Sequence, residues 1–172
     1  MNRINFIKKI SSLLGIGIVI PATVESCSSP DPMEQEVESS LSPEEIVYND
    51  LKSKTSQNGF YLDGRLLYID ITSERYSALN TVGEHINDTD QYILLLRKDS
   101  TTIQAFSNCC PHRGTANLWS YSNGSFRCGN HGNRYGTSSG SIANCGSGRT
   151  SGNLKQYETS INQDIVTVNF DS

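Results

Sequence analysis

Two short cysteine–histidine pairs constrain this chain more than any other feature of its sequence. The first is Cys110-Pro111-His112, and after fifteen intervening residues the second is Cys128-Gly129-Asn130-His131. A glycine follows each pair, at Gly114 and Gly132, which is typical of tight turns. Two such turns that face each other would present two thiolates and two imidazoles. The pairs therefore predict a metal site with two sulfur and two nitrogen ligands.

Two kinds of metal group accept this set of ligands. In a Rieske-type [2Fe–2S] cluster, two thiolates hold one iron and two imidazoles hold the other. Structural zinc takes the same four ligands, but zinc modules usually place them as C-x-x-C and H-x3–5-H rather than as two mixed pairs. The spacing favours the cluster, and a zinc-binding or non-redox lipoprotein is the more distant alternative.

The sequence resembles the Rieske iron–sulfur family. The residues that carry the resemblance are Cys110-Pro111-His112-Arg113-Gly114 and Cys128-Gly129-Asn130-His131-Gly132, with Tyr135 shortly after them. A weaker similarity extends over about residues 64–172. The resemblance implies one [2Fe–2S] cluster per chain, with Cys110 and Cys128 on the inner iron and His112 and His131 on the outer, solvent-facing iron. It also implies a small antiparallel β domain with the cluster-binding loops at one tip.

The chain departs from the family at three places around the cluster. The cysteines that join the two cluster loops in cytochrome bc subunits fall here at Thr115 and Asn130. A serine that donates to a sulfide in those proteins falls at Asn133, while the matching tyrosine is present as Tyr135. The resemblance implies that these two side chains tune the cluster by hydrogen bonding. The third loop, which reads Gly-Pro-Ala in many members of the family, reads Gly148-Arg149-Thr150 here.

The chain has five cysteines, and three of them have other expected roles. Cys27 is the candidate for lipid attachment, and Cys110 and Cys128 are the candidates for iron. Cys109 and Cys145 remain, and spare cysteines of an exported protein tend to form a disulfide. We therefore expect a Cys109–Cys145 bond that ties the third loop to the first. The alternatives are two free thiols, or Cys109 in place of Cys110 as the ligand.

Residues 1–26 have the features of a lipoprotein-type signal peptide. Three basic residues precede an apolar run over residues 10–24, and the run is short for a membrane span. Val24-Glu25-Ser26-Cys27 resembles a bacterial lipoprotein signal, which implies lipid attachment at Cys27. We expect an exported protein that is lipid-anchored to the bacterial cell envelope membrane and faces the periplasm or the cell exterior. An uncleaved signal anchor is the alternative.

The rest of the chain is expected to be a tether and one domain. Residues 27–43 are rich in proline and acidic residues and have no apolar period, which predicts a flexible acidic tether. Residues 44–172 are predicted to be one all-β domain of the Rieske type. Strands are predicted over residues 66–71, 92–96, 102–106, 157–161 and 165–170, the third of them half-buried. Residues 115–153 show no sustained period.

Charge and length restrict the function. The formal charge of −4 and the pI of about 5.3 argue against a nucleic-acid partner. An oxygenase subunit would need a further domain with a 2-His-1-carboxylate iron site, for which this chain has no room. We therefore expect a one-electron carrier with no catalytic residues. Its partner would be a redox protein, such as a quinol- or cytochrome-linked complex or an oxygenase. A ferredoxin-like subunit of a separate oxygenase or oxidase is the alternative.

Overall fold

The structure, a computed structural model, describes residues 41–172. The expected signal peptide, Cys27 and nearly all of the expected tether lie outside these residues. Within residues 41–172, no helix is long and apolar enough to cross a membrane.

The described chain contains one α-helix, one 3-10 helix and ten β-strands. All the pairings between these strands are antiparallel. The elements are α1 (Pro43–Thr55), β1 (Phe60–Asp63), β2 (Leu66–Asp70), the 3-10 helix (Glu74–Asn80), β3 (His85–Asp88), β4 (Ile93–Arg97), β5 (Ile103–Ser107), β6 (Trp119–Ser122), β7 (Ser125–Cys128), β8 (Arg134–Gly136), β9 (Gln156–Asn162) and β10 (Ile165–Asn169).

The strands form two sheets. Seven strands are ordered β1-β2-β10-β9-β5-β4-β3 in the larger sheet, and the smaller sheet is β6-β7-β8. The five predicted strands are confirmed as β2, β4, β5, β9 and β10, each within one residue of the expected bounds. The short strands β6, β7 and β8 lie in the segment that shows no sustained period, because strands of three or four residues are too short to produce one.

Strand β4 is buried on both faces because it lies between two hydrophobic cores. Ile93 and Leu95 pack into the larger core, whereas Leu94 and Leu96 pack into a second core that contains Phe126. These four side chains of β4 are at most 1% exposed. Burial on both faces explains why this strand reads as a continuous apolar run.

Residues 102–106 were predicted to be half-buried as a strand, and this prediction of their burial is wrong. Strand β5 is buried from Ile103 to Phe106, although its sequence alternates between apolar and smaller or polar residues. Ile103 and Ala105 face the larger core, and Phe106 faces the second core. The alternation is misleading because the second core covers the face that was expected to meet solvent.

The second core belongs to a segment that is inserted between two neighbouring strands. Strands β5 and β9 pair directly, with Ala105 opposite Tyr157 and Phe106 opposite Gln156. Residues 108–155 leave the sheet after β5 and return at β9. This insertion contains both cysteine–histidine pairs and the smaller sheet, so the fold places all the candidate ligands in one region beside the larger sheet.

Helix α1 was not expected from the sequence, and it begins one residue inside the predicted tether. Ser42 and Glu45 form a capping box at its start, which satisfies backbone N–H groups that the helix leaves free. The Nζ atom of Lys52 lies 2.7 Å from a carboxylate oxygen of Asp70 and 2.8 Å from one of Asp164. These contacts fasten the helix to the end of β2 and to the turn between β9 and β10.

Candidate metal centre

The two cysteine–histidine loops share the same backbone hydrogen bonds. In the first loop, the Gly114 N–H donates to the Cys110 carbonyl at 2.7 Å, and the Cys110 N–H donates to the Thr115 carbonyl at 2.9 Å. The second loop repeats both bonds at 2.9 Å with Cys128 and Gly132 in the equivalent positions. Gly114 and Gly132 have φ values of 75° and 77°, which glycine adopts without strain. Each loop therefore holds its cysteine at the same point of the same tight turn.

The loops bring the four predicted ligands together as two pairs. Cys110 and Cys128 are each 1% exposed and carry free thiols, and both belong to the second core. The imidazoles of His112 and His131 lie nearer to solvent, with their Nδ1 atoms 3.3 Å apart. The region thus has a buried sulfur pair and an accessible nitrogen pair.

This arrangement of donors fits a cluster of two irons. A Rieske cluster takes two thiolates on one iron and two imidazoles on the other. Within residues 41–172, no three His, Cys, Asp or Glu side chains converge closely enough to hold a single metal ion. The backbone N–H groups of Asn130 and His131 interact with the Cys128 sulfur and favour its thiolate form, and backbone amides are common around iron–sulfur sites.

Burial dominates the electrostatics of the site. It raises the pKa of the Cys128 thiol, and the backbone N–H groups of Asn130 and His131 oppose this rise. Burial also raises the pKa of Tyr135 to about 12, assisted by the nearby Cys110. The Tyr135 hydroxyl therefore keeps its proton at neutral pH and acts as a hydrogen-bond donor.

The two candidate tuning side chains lie beside the sulfur pair. The Tyr135 hydroxyl donates to the Arg149 carbonyl at 2.8 Å and lies 3.8 Å from the Cys110 Sγ atom. The carbonyl is therefore the nearer acceptor for its single proton. The Nδ2 atom of Asn133 is buried and has no hydrogen-bond partner among residues 41–172. A buried donor without a partner costs free energy, and an acceptor on a bound cluster would remove that cost.

A disulfide joins Cys109 to Cys145, with their Cα atoms 5.3 Å apart. The bond leaves Cys110 as the free thiol of the first loop. It fastens the third loop to the first, and two backbone hydrogen bonds follow. The Gly146 N–H donates to the Cys110 carbonyl at 3.2 Å, and the Gly148 N–H donates to the next carbonyl at 3.1 Å. The third loop therefore packs on the backbone of a candidate ligand.

A hydrogen bond joins the two cysteine–histidine loops at the positions where cytochrome bc subunits have cysteines. The Nδ2 atom of Asn130 donates to the Oγ1 atom of Thr115 at 3.0 Å. The polar pair thus links the same two loops without a covalent bond.

A buried amide network also positions the first loop, and the sequence analysis does not predict it. Asn108 is 0% exposed, and its Nδ2 atom donates to the Asn87 side chain at 3.1 Å. Asn87 in turn donates to the Ala116 carbonyl at 2.8 Å, and the Trp119 indole donates to the Asn108 carbonyl at 2.7 Å. Two features of the sequence could have pointed to this network: Asn108 directly precedes Cys109, and Trp119 is the single tryptophan of the chain.

The comparison with protein families decides the identity of this centre. The family model of the Rieske [2Fe-2S] domain matches residues 69–158, which is just over half of the chain and includes all three loops. The chain belongs to the Rieske family. Membership confirms the expected cofactor, a [2Fe–2S] cluster, and the expected antiparallel β fold of the Rieske type. This Rieske chain is therefore an electron-transfer protein.

The solved structures that are similar to this Rieske chain include one from a cyanobacterium. It is the crystal structure of the cyanobacterial plasma membrane Rieske protein PetC3 from Synechocystis PCC 6803. The two chains are 21% identical, with a TM-score of 0.36, and the match covers 49% of this chain and 82% of that one. No curated protein matches the chain.

Proposed function

We propose that this Rieske chain is an exported, lipid-anchored carrier of single electrons. In this proposal Cys110 and Cys128 hold the inner iron, and His112 and His131 hold the outer iron. The observation that best supports the electron-carrier role is the separation of the two kinds of ligand. The cysteine pair is 1% exposed, while the Nδ1 atoms of His112 and His131 are 3.3 Å apart and lie nearer to solvent. When bound, the cluster supplies reversible one-electron chemistry.

The polypeptide supplies three physical functions in this proposal. The turns around Gly114 and Gly132 hold both cysteines at fixed points beneath the surface. The second core surrounds the sulfur pair and excludes water from it. The half-buried and exposed imidazoles of His112 and His131 leave one edge of the site accessible to a partner. No bond-making step by a side chain is required.

The substitution His131→Cys tests the ligand assignment. The purified wild-type protein is expected to contain two irons and two acid-labile sulfides and to give a Rieske-type EPR signal when reduced. His131→Cys is expected to lower the potential sharply, because Rieske centres lie at about −150 to +300 mV and plant-type all-cysteine clusters lie near about −400 mV.

His85→Gln is the matched control, because it removes the third histidine of the chain without touching a predicted ligand. The control is expected to keep the spectrum and the potential of the wild-type protein. An unchanged spectrum and potential in His131→Cys would contradict the ligand assignment. A colourless protein that contains zinc would contradict the whole proposal.

The membrane anchor is proposed from the sequence around Cys27, which lies outside the described residues. Cys27→Ser in the full chain is expected to move the protein from the membrane fraction to the soluble fraction and to remove the lipid mass from its N-terminal peptide. Ser28→Ala is the control and is expected to stay with the membrane. If Cys27→Ser stays with the membrane as well, an uncleaved signal anchor is the better explanation.

We propose export by the twin-arginine route because a folded, cluster-loaded protein requires a pathway for folded proteins. Residues 2–8 resemble the signal of that route, with Ile4 in place of the second arginine. Ile4→Arg is expected to raise the amount of exported, cluster-loaded protein. Export that is independent of the twin-arginine machinery would favour general secretion with later insertion of the cluster.

A further inference from the structure

The charges of this chain are strongly segregated. Residues 100–157 contain five basic and no acidic side chains, whereas the remaining residues contain nine basic and eighteen acidic side chains. The positive region contains the whole of the inserted segment and therefore all the candidate ligands. This chain is acidic overall, but the region around its redox centre is positive.

Four arginines of this region lie beside the cluster loops. We call Arg113, Arg127, Arg134 and Arg149 the arginine face. All four are exposed.

Each member of the arginine face has a defined relation to the loops. Arg113 directly follows His112 in the first loop. The Arg127 guanidinium packs against Gly132, close enough that a Cβ atom there would lie 3.2 Å from the Nη2 atom. Arg134 lies opposite Arg127 on the neighbouring strand. The Arg149 carbonyl in the third loop accepts the Tyr135 hydroxyl.

The arginine face has no acidic partner within residues 41–172. The ion pairs there all involve other basic residues, namely Lys52, Lys54, Arg65 and Arg75. Arg127 and Arg134 are directly opposite in a cross-strand pair, and like charges in that position destabilise a sheet. The fold therefore retains an unfavourable positive charge that an acidic partner would neutralise.

We propose that the arginine face is the docking surface for an acidic redox protein, a proposal that rests on the proposed electron-carrier function. The exposed His131 marks the edge where electrons would pass, and arginines follow both loops at that edge. A local positive potential raises the encounter rate with an anionic partner and orients it. The 48% exposed side chain of Leu118, whose carbonyl accepts the Gly129 N–H, adds an apolar contact beside the second loop.

An anionic lipid surface offers the same negative charge as an acidic protein. A bilayer bound to the arginine face would cover the edge formed by His112 and His131, through which the proposed carrier exchanges electrons. An acidic protein instead brings its own redox centre to that edge. We therefore assign the face to a protein partner.

Native cytochrome c and its succinylated form test the charge of the partner. The two share one fold and one haem, but the native protein is strongly basic and the succinylated protein is acidic. Dithionite first reduces the full-length holoprotein. One electron then passes to the ferric haem, which becomes ferrous as the cluster is oxidised, and stopped-flow absorbance follows the rate.

The succinylated cytochrome is expected to react faster than the native one, with a rate that falls as ionic strength rises. Arg113→Gln with Arg134→Gln is expected to lower that rate about tenfold at low ionic strength. The matched control is Lys54→Gln with Lys98→Gln, which removes the same charge outside the arginine face. It is expected to change the rate less than twofold, and measured potentials correct both variants for driving force.

Three results would overturn the assignment. One is a faster reaction with native cytochrome c, because the negative net charge of this chain, and not the arginine face, would then control the encounter. Another is an equal loss of rate in the control variant. The third is wild-type kinetics in the arginine variant together with loss of its binding to phosphatidylglycerol vesicles, which would assign the face to lipid.

Failure of the electron-carrier function is recognised separately. A protein without the Rieske EPR signal would contradict that function, whereas a normal signal with kinetics governed by net charge would contradict only the docking surface. Retention on immobilised polyglutamate gives a readout that does not depend on the cluster. Wild-type protein and the lysine control are expected to be retained, and the arginine variant to elute earlier. Equal elution of all three would contradict the docking surface.

Discussion

Replacing Cys109 and Cys145 together by serine is expected to destabilise the cluster-free protein by about 4 kcal/mol. The disulfide joins residues separated by 36 positions, and loop-closure entropy in the unfolded chain gives about 4 kcal/mol for a loop of this length. With a urea slope of about 2 kcal/mol/M, the unfolding midpoint should fall by about 2 M.

The disulfide also matters for the metal site. It fastens the third loop, whose Gly146 N–H donates to the Cys110 carbonyl. Without the bond, this loop opens more readily and exposes the buried thiol of Cys110. The double variant is therefore expected to lose its cluster to a chelator faster than the wild-type protein does.

The single variant Cys145→Ser gives a sharper test than the double variant. It leaves the Cys109 thiol free beside Cys110, so two adjacent thiols compete for the same iron. We expect lower and more heterogeneous cluster loading in Cys145→Ser than in Cys109→Ser with Cys145→Ser, although the double variant carries more changes. Iron content and the width of the EPR signal measure this difference.

Urea unfolding followed by the fluorescence of Trp119 measures the stability of the cluster-free protein. Wild-type protein in dithiothreitol is the control, and its midpoint should match that of the double variant. Equal midpoints for oxidised wild-type protein and the double variant would contradict the loop-entropy argument. Alkylation of both Cys109 and Cys145 in unfolded, unreduced protein would contradict the disulfide itself.

Three further outcomes are expected from other contacts. Tyr135→Phe is expected to lower the potential by up to about 40 mV, because the hydroxyl is a donor near the Cys110 sulfur and favours the reduced cluster. A change of only a few millivolts by voltammetry would mean that the hydroxyl keeps donating to the Arg149 carbonyl instead. Lys52→Met is expected to cost about 3 kcal/mol in urea unfolding, since it leaves nearly buried Asp70 without its cation. Lys54→Met removes only an exposed ion pair and should leave the unfolding midpoint nearly unchanged, and equal shifts of the midpoint in the two variants would contradict the argument. Burial acts to raise the pKa of Asp70, but hydrogen bonds from Lys52 and Thr72 lower it overall. The stabilisation by the Lys52–Asp70 pair should therefore be complete at neutral pH and disappear as the pH falls below about 4. A wild-type unfolding midpoint as insensitive to acid as that of Lys52→Met would contradict this.

The sequence predicts the parts of the fold that depend on local patterns. The apolar run of β4 and the closing hairpin of β9 and β10 are recognisable because neighbouring residues alone define them. The cysteine–histidine pairs predict the donor set for the same reason, since each loop is a local turn. The convergence of the two loops depends on tertiary structure. The resemblance to a family predicts that convergence, whereas the residues alone do not.

Other parts depend on contacts that are distant in sequence. The outer face of β5 is buried because Phe126, twenty residues after Phe106, packs against it. Helix α1 carries few buried side chains, so its sequence has no strong apolar stripe, and Lys52 fixes it to residues on two other elements. The contact between Asn130 and Thr115 likewise exists only because two separate loops face each other.

The insertion of residues 108–155 between two paired strands makes the redox centre a transferable module. Because β5 and β9 are hydrogen-bonded neighbours, the chain leaves and re-enters the sheet about 5 Å apart, the spacing of adjacent strands. A short turn would close the same gap, so the host sheet does not fix the length of this guest segment, although any replacement must still cover Leu94, Leu96 and Phe106. Natural selection or a protein engineer can therefore exchange the guest as one continuous piece of gene, while the host strands keep their register.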